Sequence, residues 1–274
     1  MLEIKNKFEQ AVLVGIEVDT NKDAYMLFES LNHRVVPLSS IDLIKNTLIS
    51  QADNDADADE AYEQWKQILD NVGQDDYSVQ ERFFRQYYNA FREELNAPYN
   101  VSDKKYYLGY LATRTTLLDI YEKMIKSDYR VLLEDLMEKS QKYALIVNNS
   151  DEEQLYTQEL QDLARISGAP SYILLLYIMS KQSELELSDE QIQGVIKTLI
   201  TFFVRRNVTD VPGTRKLTQL FIDIIADIKA IKGEDIVKTV AEKLSEVSAT
   251  DSMFEEKPFV SVSILPSTYV TTNA

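Results

Sequence analysis

The chain has 274 residues, of which 45% are hydrophobic and 27% charged, and its formal net charge at pH 7 is −16. This composition is typical of a well-cored protein, and the negative charge argues against direct nucleic-acid binding, which requires clustered lysine and arginine. With no cysteine and one histidine, the sequence excludes a Cys/His zinc site, Cys-His catalysis and a two-histidine nuclease centre.

Nothing in the sequence indicates export or a membrane. The longest apolar run, YILLLYIM at 172–179, is too short for a membrane span and is typical of a buried helix. The first ten residues are charged and lack the apolar region of a signal peptide. Together with the absence of cysteine, these features predict a cytoplasmic protein.

The predicted elements begin with a strand. The valine-rich run over 11–18 is typical of a short strand, and helical periodicity follows over 23–31. After a loop over 33–38, a second helix is predicted to begin at Ser39 or Ser40. Ser39 and Asp42 have the spacing of a capping box, with aspartate in place of the usual glutamate.

The acidic segment over 52–60 invites a calcium interpretation. Asp53, Asp55 and Asp57 stand at alternate positions, as in an EF-hand loop. However, Ala58 and Gln64 occupy the positions where that loop requires glycine and glutamate. The sequence therefore predicts a solvated polar loop here and no metal site.

Beyond that loop nearly every segment has helical periodicity. The predicted helices cover 61–70, 79–95, 107–125, 129–147, 152–165, 171–180, 188–206, 214–231 and 234–247, with Ser188 capping one of them. The tail from 248 differs, because FVSVSILPSTYV alternates apolar and small polar residues like a strand, an unpaired edge or a linker. The expected fold class is mainly α, with a short N-terminal strand-helix-helix region.

Two polar constellations stand out. In the predicted helix after Ser40, Asp42, Lys45 and Asn46 share one face, and the preceding loop brings Asn32 and Arg34 towards the helix N-terminus. Such an arrangement can bind an anion such as phosphate. Caps and a local ion pair explain it equally well: Asn32 ends one helix, Asp42 caps the next, and Lys45 pairs with Asp42.

The second constellation is basic. Arg205 and Arg206 are adjacent, and Arg215 and Lys216 follow after the turn VPGT. These residues are candidates for contact with a phosphate or a nucleic acid, although the overall negative charge argues against direct binding of nucleic acid by this chain.

The segment FESLNHRVVPLSSIDLIKN, 28–46, resembles a stretch of the GmrSD-type family of modification-dependent restriction and phage-defence proteins. Members of that family carry a sequence close to FExLNxRGxPLxxxDLIKN. The helical segments LQDLARISGAPSYILLLYIM and ITFFVRRNVTDVPGTRKLTQLF also look like family segments. The resemblance therefore extends from about residue 11 to residue 221, and its first motif is the most specific.

The resemblance implies an organisation. Residues 1–50 would be the incomplete end of a ParB/sulfiredoxin-like α/β domain, 51–247 a helical domain, and 248–274 a tail. Five polar residues would lie near a nucleotide site that uses NTP and a divalent metal in a complete parent protein: Asn32, Arg34, Asp42, Lys45 and Asn46. The expected partners are the missing N-terminal segment or a partner chain that pairs with the early strand, and a nuclease domain or subunit.

Three departures from the family pattern shape the expected function. No DGQQR motif precedes residue 11, a His-Asn-His nuclease cannot be built from one histidine, and Val35 stands where the family favours glycine. The expectation is a truncated or non-catalytic component of a nucleotide-dependent restriction or anti-phage protein, without a cofactor or catalytic residues of its own. The alternative is a stand-alone helical interaction module in which 28–46 is a capped helix-loop-helix.

Overall fold

The computed structural model describes residues 39–73, 76–96, 110–148 and 155–256, together with the isolated positions 15, 17 and 27. Across these residues the structure is helical and contains no strand, which confirms the mainly α fold class. Apart from those isolated positions, the predicted strand over 11–18 and helix over 23–31 lie outside the described residues. The chain divides into two compact units, Met1–Ala144 and Leu145–Ala274, and so divides within the segment 51–247 that the sequence predicts as one domain.

The helices that begin in the first unit are α1 (Ser40–Ile49), α2 (Asp55–Val72), α3 (Tyr77–Asn96) and α4 (Leu117–Asn148). Helix α1 packs against α2 and α3, and α2 packs against α3. Aromatic rings fill the space between them. Trp65 of α2 stacks on Phe84 of α3 with 5.0 Å between ring centroids, and Tyr121 of α4 meets the same Phe84 edge-on at 5.3 Å. All three side chains are buried, so these rings form the centre of the first core.

The acidic segment after α1 is helical, and the prediction of a loop over 52–60 is wrong from Asp55 onwards. The side chain of Asn54 accepts a hydrogen bond from Asp57 N at 3.1 Å and so caps α2. Asp55 and Asp57 then lie in the first turn, where negative side chains interact favourably with the helix dipole. The polarity that indicated a loop therefore belongs to a helix N-terminus.

Helix α4 consists of two helical segments separated by a kink at Asp128. Asp128 has φ −161° and ψ 97°, and its Oδ1 accepts hydrogen bonds from Arg130 N and Val131 N, so it caps the second segment. The kink agrees with the predicted break between 107–125 and 129–147. The first segment begins at Leu117, however, and the described residues 110–116 before it are not helical.

The second unit contains α5 (Thr157–Arg165), a 3₁₀ turn (Ala169–Ser171), α6 (Tyr172–Ser180), α7 (Asp189–Thr209), α8 (Thr214–Ile228), α9 (Glu234–Val247) and α10 (Asp251–Glu255). Helix α7 packs against α5, α9 and α10, and α8 packs against α6 and α9. The first eight residues of α6 are all buried, which makes it the central helix of this core. No helix in the described part of the chain is both long and apolar enough to cross a membrane.

Some ends of these helices agree with the sequence-based predictions, and others do not. Ser188 caps α7 and forms a full capping box with Gln191, as predicted. Helix α9 has the predicted bounds, whereas α8 ends at Ile228 instead of 231. Within the predicted tail, Asp251–Glu255 is a short helix capped by Thr250. The segment FVSVSILPSTYV lies outside the described residues.

Candidate functional site

The first turn of α1 is organised by Ser39 and Asp42. The Ser39 hydroxyl accepts a hydrogen bond from Asp42 N at 3.1 Å and donates one to Asp42 Oδ2 at 2.6 Å. Ser39 is therefore the N-cap, and the acidic side chain holds the capping hydroxyl in place. The interpretation in which Asp42 itself caps this helix is wrong, since Asp42 lies inside the first turn.

Lys45 is one turn further along α1. Its Nζ lies 3.7 Å from Asp42 Oδ1, so the ion pair predicted by the spacing is present. Asp42 is about half exposed and Lys45 is partly covered. A pair of this kind contributes little to stability, so separating its two charged groups on ligand binding would cost little free energy.

Asn46 differs from its neighbours because it is only 2% exposed. Among the residues that the structure describes, neither its Nδ2 nor its Oδ1 has a hydrogen-bond partner. Ile41, Ile44 and Leu48 form the apolar stripe of α1, and Asn46 lies about 160° around the helix from Ile44 at roughly 100° per residue. Ile49, which is also buried, is only about 60° from Asn46 at the same 100° per residue. The buried amide therefore lies at the edge of the buried face of α1, and both of its polar atoms are unused.

The structure brings together only part of the first predicted constellation. Asp42, Lys45 and Asn46 lie on adjacent turns of α1. Asn32 and Arg34 lie outside the described residues, as does Val35. Their place beside the start of α1 stays a prediction.

The two adjacent arginines of the basic constellation hold helix ends together. Arg205 donates to Ala249 O at 3.0 Å and to Asp251 Oδ1 at 2.5 Å, and its guanidinium lies 5.3 Å from the ring centroid of Phe254. These contacts fasten α10 to α7. Arg205 also borders a cavity of about 620 Å³ between α7 and α9, with Phe202 and Leu244 among its lining residues.

Arg206 joins the end of α7 to the start of α8. Its guanidinium donates to Pro212 O at 3.3 Å, to Asp210 Oδ1 at 3.1 Å and to Thr214 Oγ1 at 2.5 Å. Arg215, in contrast, is exposed and forms no ion pair within the described part of the chain. Two of the four basic residues, Arg205 and Arg206, therefore have a structural use, and phosphate contact by these residues stays a prediction.

The alternating aspartates are held by an arginine. Arg130 Nη2 lies 3.0 Å from Asp53 Oδ2 and 2.9 Å from Asp57 Oδ2. The hydrogen bond to Asp53 raises the pKa of Arg130 above its usual value. The guanidinium also lies over the ring of Tyr129, whose pKa burial raises, while the positive charge of Arg130 opposes that shift. Within the described residues, no group of three or more acidic or histidine side chains could hold a metal ion.

Sequence reasoning did not identify a second buried polar group in the first unit. Glu81 of α3 is buried, and its Oε1 lies 3.1 Å from Arg85 Nε and 3.3 Å from Arg114 Nε. Glu81 and Arg85 are four residues apart on one helix, but Arg114 comes from the segment before α4. The available signal was a row of polar residues at helical spacing, Glu81, Arg85 and Asn89, within the aromatic-rich helix α3.

Comparison of the chain with protein-family models, with curated proteins and with solved structures finds no match in any of the three.

Proposed function

We propose that this chain is a non-catalytic component of a GmrSD-like, nucleotide-dependent restriction or anti-phage defence protein, in which α1 forms part of a nucleotide site. The observation that supports the proposal is the buried amide of Asn46, which has no hydrogen-bond partner among the described residues. It lies beside the two charged side chains that the family-like motif places next to a nucleotide.

The free energy of burying an unpaired amide makes a structural role for Asn46 unfavourable. Leaving a buried donor or acceptor without a partner costs about 1–3 kcal/mol, and a leucine of similar size would avoid that cost. Asparagine is therefore better explained by a partner that is present in the working protein. Its Nδ2 donates and its Oδ1 accepts, which matches the adjacent acceptor and donor on the edge of a nucleobase.

The charged neighbours suit the rest of a nucleotide. Lys45 supplies a positive charge for phosphate oxygens, and Asp42 keeps carboxylate lone pairs that a Mg²⁺ ion accompanying the phosphates could use. The cofactors of the proposal are therefore NTP and a divalent metal in the complete assembly. Its partners are an N-terminal segment or partner chain that would strengthen nucleotide binding at α1, and a nuclease domain or subunit.

The proposal is tested by nucleotide binding to the full chain. Titration calorimetry with each of the four ribonucleoside triphosphates and Mg²⁺ should detect binding by the original protein. Asn46→Leu should abolish binding while raising the free energy of unfolding, because it removes the unpaired amide. Lys66→Ala, an exposed change on α2, should alter neither quantity. Absence of binding at millimolar nucleotide would refute the proposal.

A helical interaction module is the second candidate, and one observation favours it. Val204 and Val208 lie one turn apart on α7 and are 42% and 45% exposed, so together they form a small apolar patch on the helix surface. Self-association through this face would bury both. Sedimentation velocity of the original chain and of Val204→Glu tests this: the second candidate requires an oligomer that the variant converts to a monomer.

A further inference from the structure

The strongest remaining feature of the first unit is the group formed by Glu81, Arg85 and Arg114, here termed the Glu81 cluster. The Glu81 side chain is only 7% exposed, and both arginine Nε atoms approach the same oxygen, Oε1, at 3.1 and 3.3 Å. The two Nε atoms can therefore be at most 6.4 Å apart (3.1 + 3.3). This separation is short enough for one small oxyanion to contact both guanidinium groups.

The charges in the Glu81 cluster do not balance. Two guanidinium groups face one carboxylate, and neither arginine has another acidic partner among the described residues. Each guanidinium carries five N–H donors, far more than the two oxygens of Glu81 can accept. In a chain with a net charge of −16, this local excess of positive charge and donors requires an explanation.

Two buried atoms of the cluster also lack proper hydrogen bonds. Arg85 Nε and Glu81 Oε1 are close enough for an ion pair, yet neither forms a hydrogen bond of acceptable geometry within the described part of the chain. The 3.1 Å distance between Arg85 Nε and Glu81 Oε1 is that of an ion pair, but the angle at the N–H is unsuitable for a hydrogen bond. One donor and one acceptor are therefore unused. Unsatisfied buried groups of this kind are rare in native proteins, and a bound water or ion is one explanation for them.

We propose that the Glu81 cluster binds a hydrogen phosphate group. The phosphate oxygens would accept hydrogen bonds from the guanidinium groups of Arg85 and Arg114, whose planar geometry suits tetrahedral oxyanions. An ionised carboxylate can only accept, so the contact with Glu81 Oε1 requires a proton on the ligand. A P–OH group supplies that proton, whereas sulfate at neutral pH has none.

The fold holds the arginines where this site needs them. Arg85 follows Glu81 by one turn of α3 and so lies on the same face. Arg114 belongs to a turn in which Thr116 Oγ1 accepts from Thr113 N at 2.9 Å and donates to Leu111 O at 2.8 Å. The inference does not depend on a nucleotide site at α1, since it rests on different residues.

The test measures anion binding to the full chain at constant ionic strength. Titration calorimetry near pH 7.5 should detect orthophosphate binding, with sulfate at least about tenfold weaker because one hydrogen bond to a charged group is missing. Arg114→Ala should weaken phosphate binding by at least about tenfold for the same reason. This arginine is 76% exposed, so the variant should fold normally.

Arg165→Ala is the matched control, because Arg165 is also an exposed arginine in an ion pair, with Asp162. It should leave phosphate binding unchanged. A phosphate monoester, whose second pKa is about 6, should bind near pH 5.5 and weaken near pH 7.5, which separates a phosphorylated molecule from free phosphate. Equal binding of sulfate and phosphate, or unchanged binding by Arg114→Ala, would overturn the proposal.

Discussion

Asn89 holds the backbone of Ala112 by two hydrogen bonds. Its Nδ2 donates to Ala112 O at 3.2 Å, and its Oδ1 accepts from Ala112 N at 2.8 Å. Both residues are buried. Asn89 lies one turn beyond Arg85 on α3, and Ala112 is two residues before Arg114. This pair therefore ties the segment that carries one arginine to the helix that carries the other.

Replacement of Asn89 by alanine should destabilise the protein by about 1–3 kcal/mol, because it leaves buried backbone groups of Ala112 without partners. Urea unfolding of the original protein and the variant measures the difference. Asn89→Asp keeps the acceptor for Ala112 N but places a buried carboxylate oxygen against Ala112 O, so at neutral pH it should destabilise the protein at least as much as alanine does. A loss below about 0.5 kcal/mol for the alanine variant would show that the pair contributes little.

Asp76 at the start of α3 should make stability depend on acid pH. Its Oδ1 accepts hydrogen bonds from the Ser78 hydroxyl, Ser78 N and Val79 N. The bond from the hydroxyl, followed by that from Val79 N, lowers the pKa of Asp76 below its usual value of 3.8. Because the folded state favours the ionised form, this stabilisation is present above pH 3.8 and is lost as the pH falls through the folded pKa.

The expected result is a difference in the free energy of unfolding between Asp76→Asn and the original protein, and this difference should depend on pH. The variant should be less stable at neutral pH, and the two unfolding free energies should converge once the pH falls below the lowered pKa of Asp76. Ser78→Ala removes the bond with the largest effect on the pKa of Asp76 and should produce a smaller change in the same direction. A stability difference that stays constant from neutral to acid pH would contradict this account of Asp76.

Calcium should not stabilise this protein through the alternating aspartates. Arg130 forms ion pairs with Asp53 and Asp57, and Asp55 and Asp57 lie in the first turn of α2 rather than in an EF-hand loop. Thermal unfolding should therefore be unchanged on addition of millimolar Ca²⁺. A clear rise in Tm that disappears in Asp53→Asn would show that the metal displaces Arg130.

The sequence was sufficient to predict the helices whose signals are local. A capping residue and an apolar stripe identified α7, and an apolar stripe identified α9, because a cap and a 3.6-residue period need only neighbouring residues. The start of α2 was missed because acidic residues in a first helical turn have the same composition as a solvated loop. The segment before α4 was assigned to a helix because its periodicity continues across a turn that tertiary contacts of Ala112 stabilise.

Polar sites were harder to predict than helices. Asp42 and Lys45 could be paired from their spacing alone, since the pair is local. The burial of Asn46 could not, because a polar residue at the edge of the apolar face of α1 is equally compatible with exposure. Glu81 and Arg114 meet only through the packing of α3 against the segment before α4. A single sequence does not indicate which residues that are far apart in the chain come into contact in the fold.

Two glycines in the second unit should respond oppositely to alanine. At Gly168 a Cβ atom would lie 2.3 Å from Leu163 Cδ1 and 2.8 Å from Leu163 O. The Gly168 N–H also donates to that carbonyl at 2.9 Å, so the backbone cannot easily move away. Gly168→Ala should therefore destabilise the protein by about 1–3 kcal/mol through overpacking.

Gly194 is the matched position, since it lies inside α7 and the nearest atom to a new Cβ is Val237 Cγ1 at 3.7 Å, an ordinary contact. Gly194→Ala should stabilise the protein by about 0.5–1 kcal/mol, because alanine loses less backbone entropy on forming a helix. Urea unfolding of both variants checks the pair. If both changes destabilise to the same extent, then helix α9 packs against Gly194 more tightly than the Val237 distance indicates; if Gly168→Ala is neutral, the turn before α6 is not fixed by Leu163.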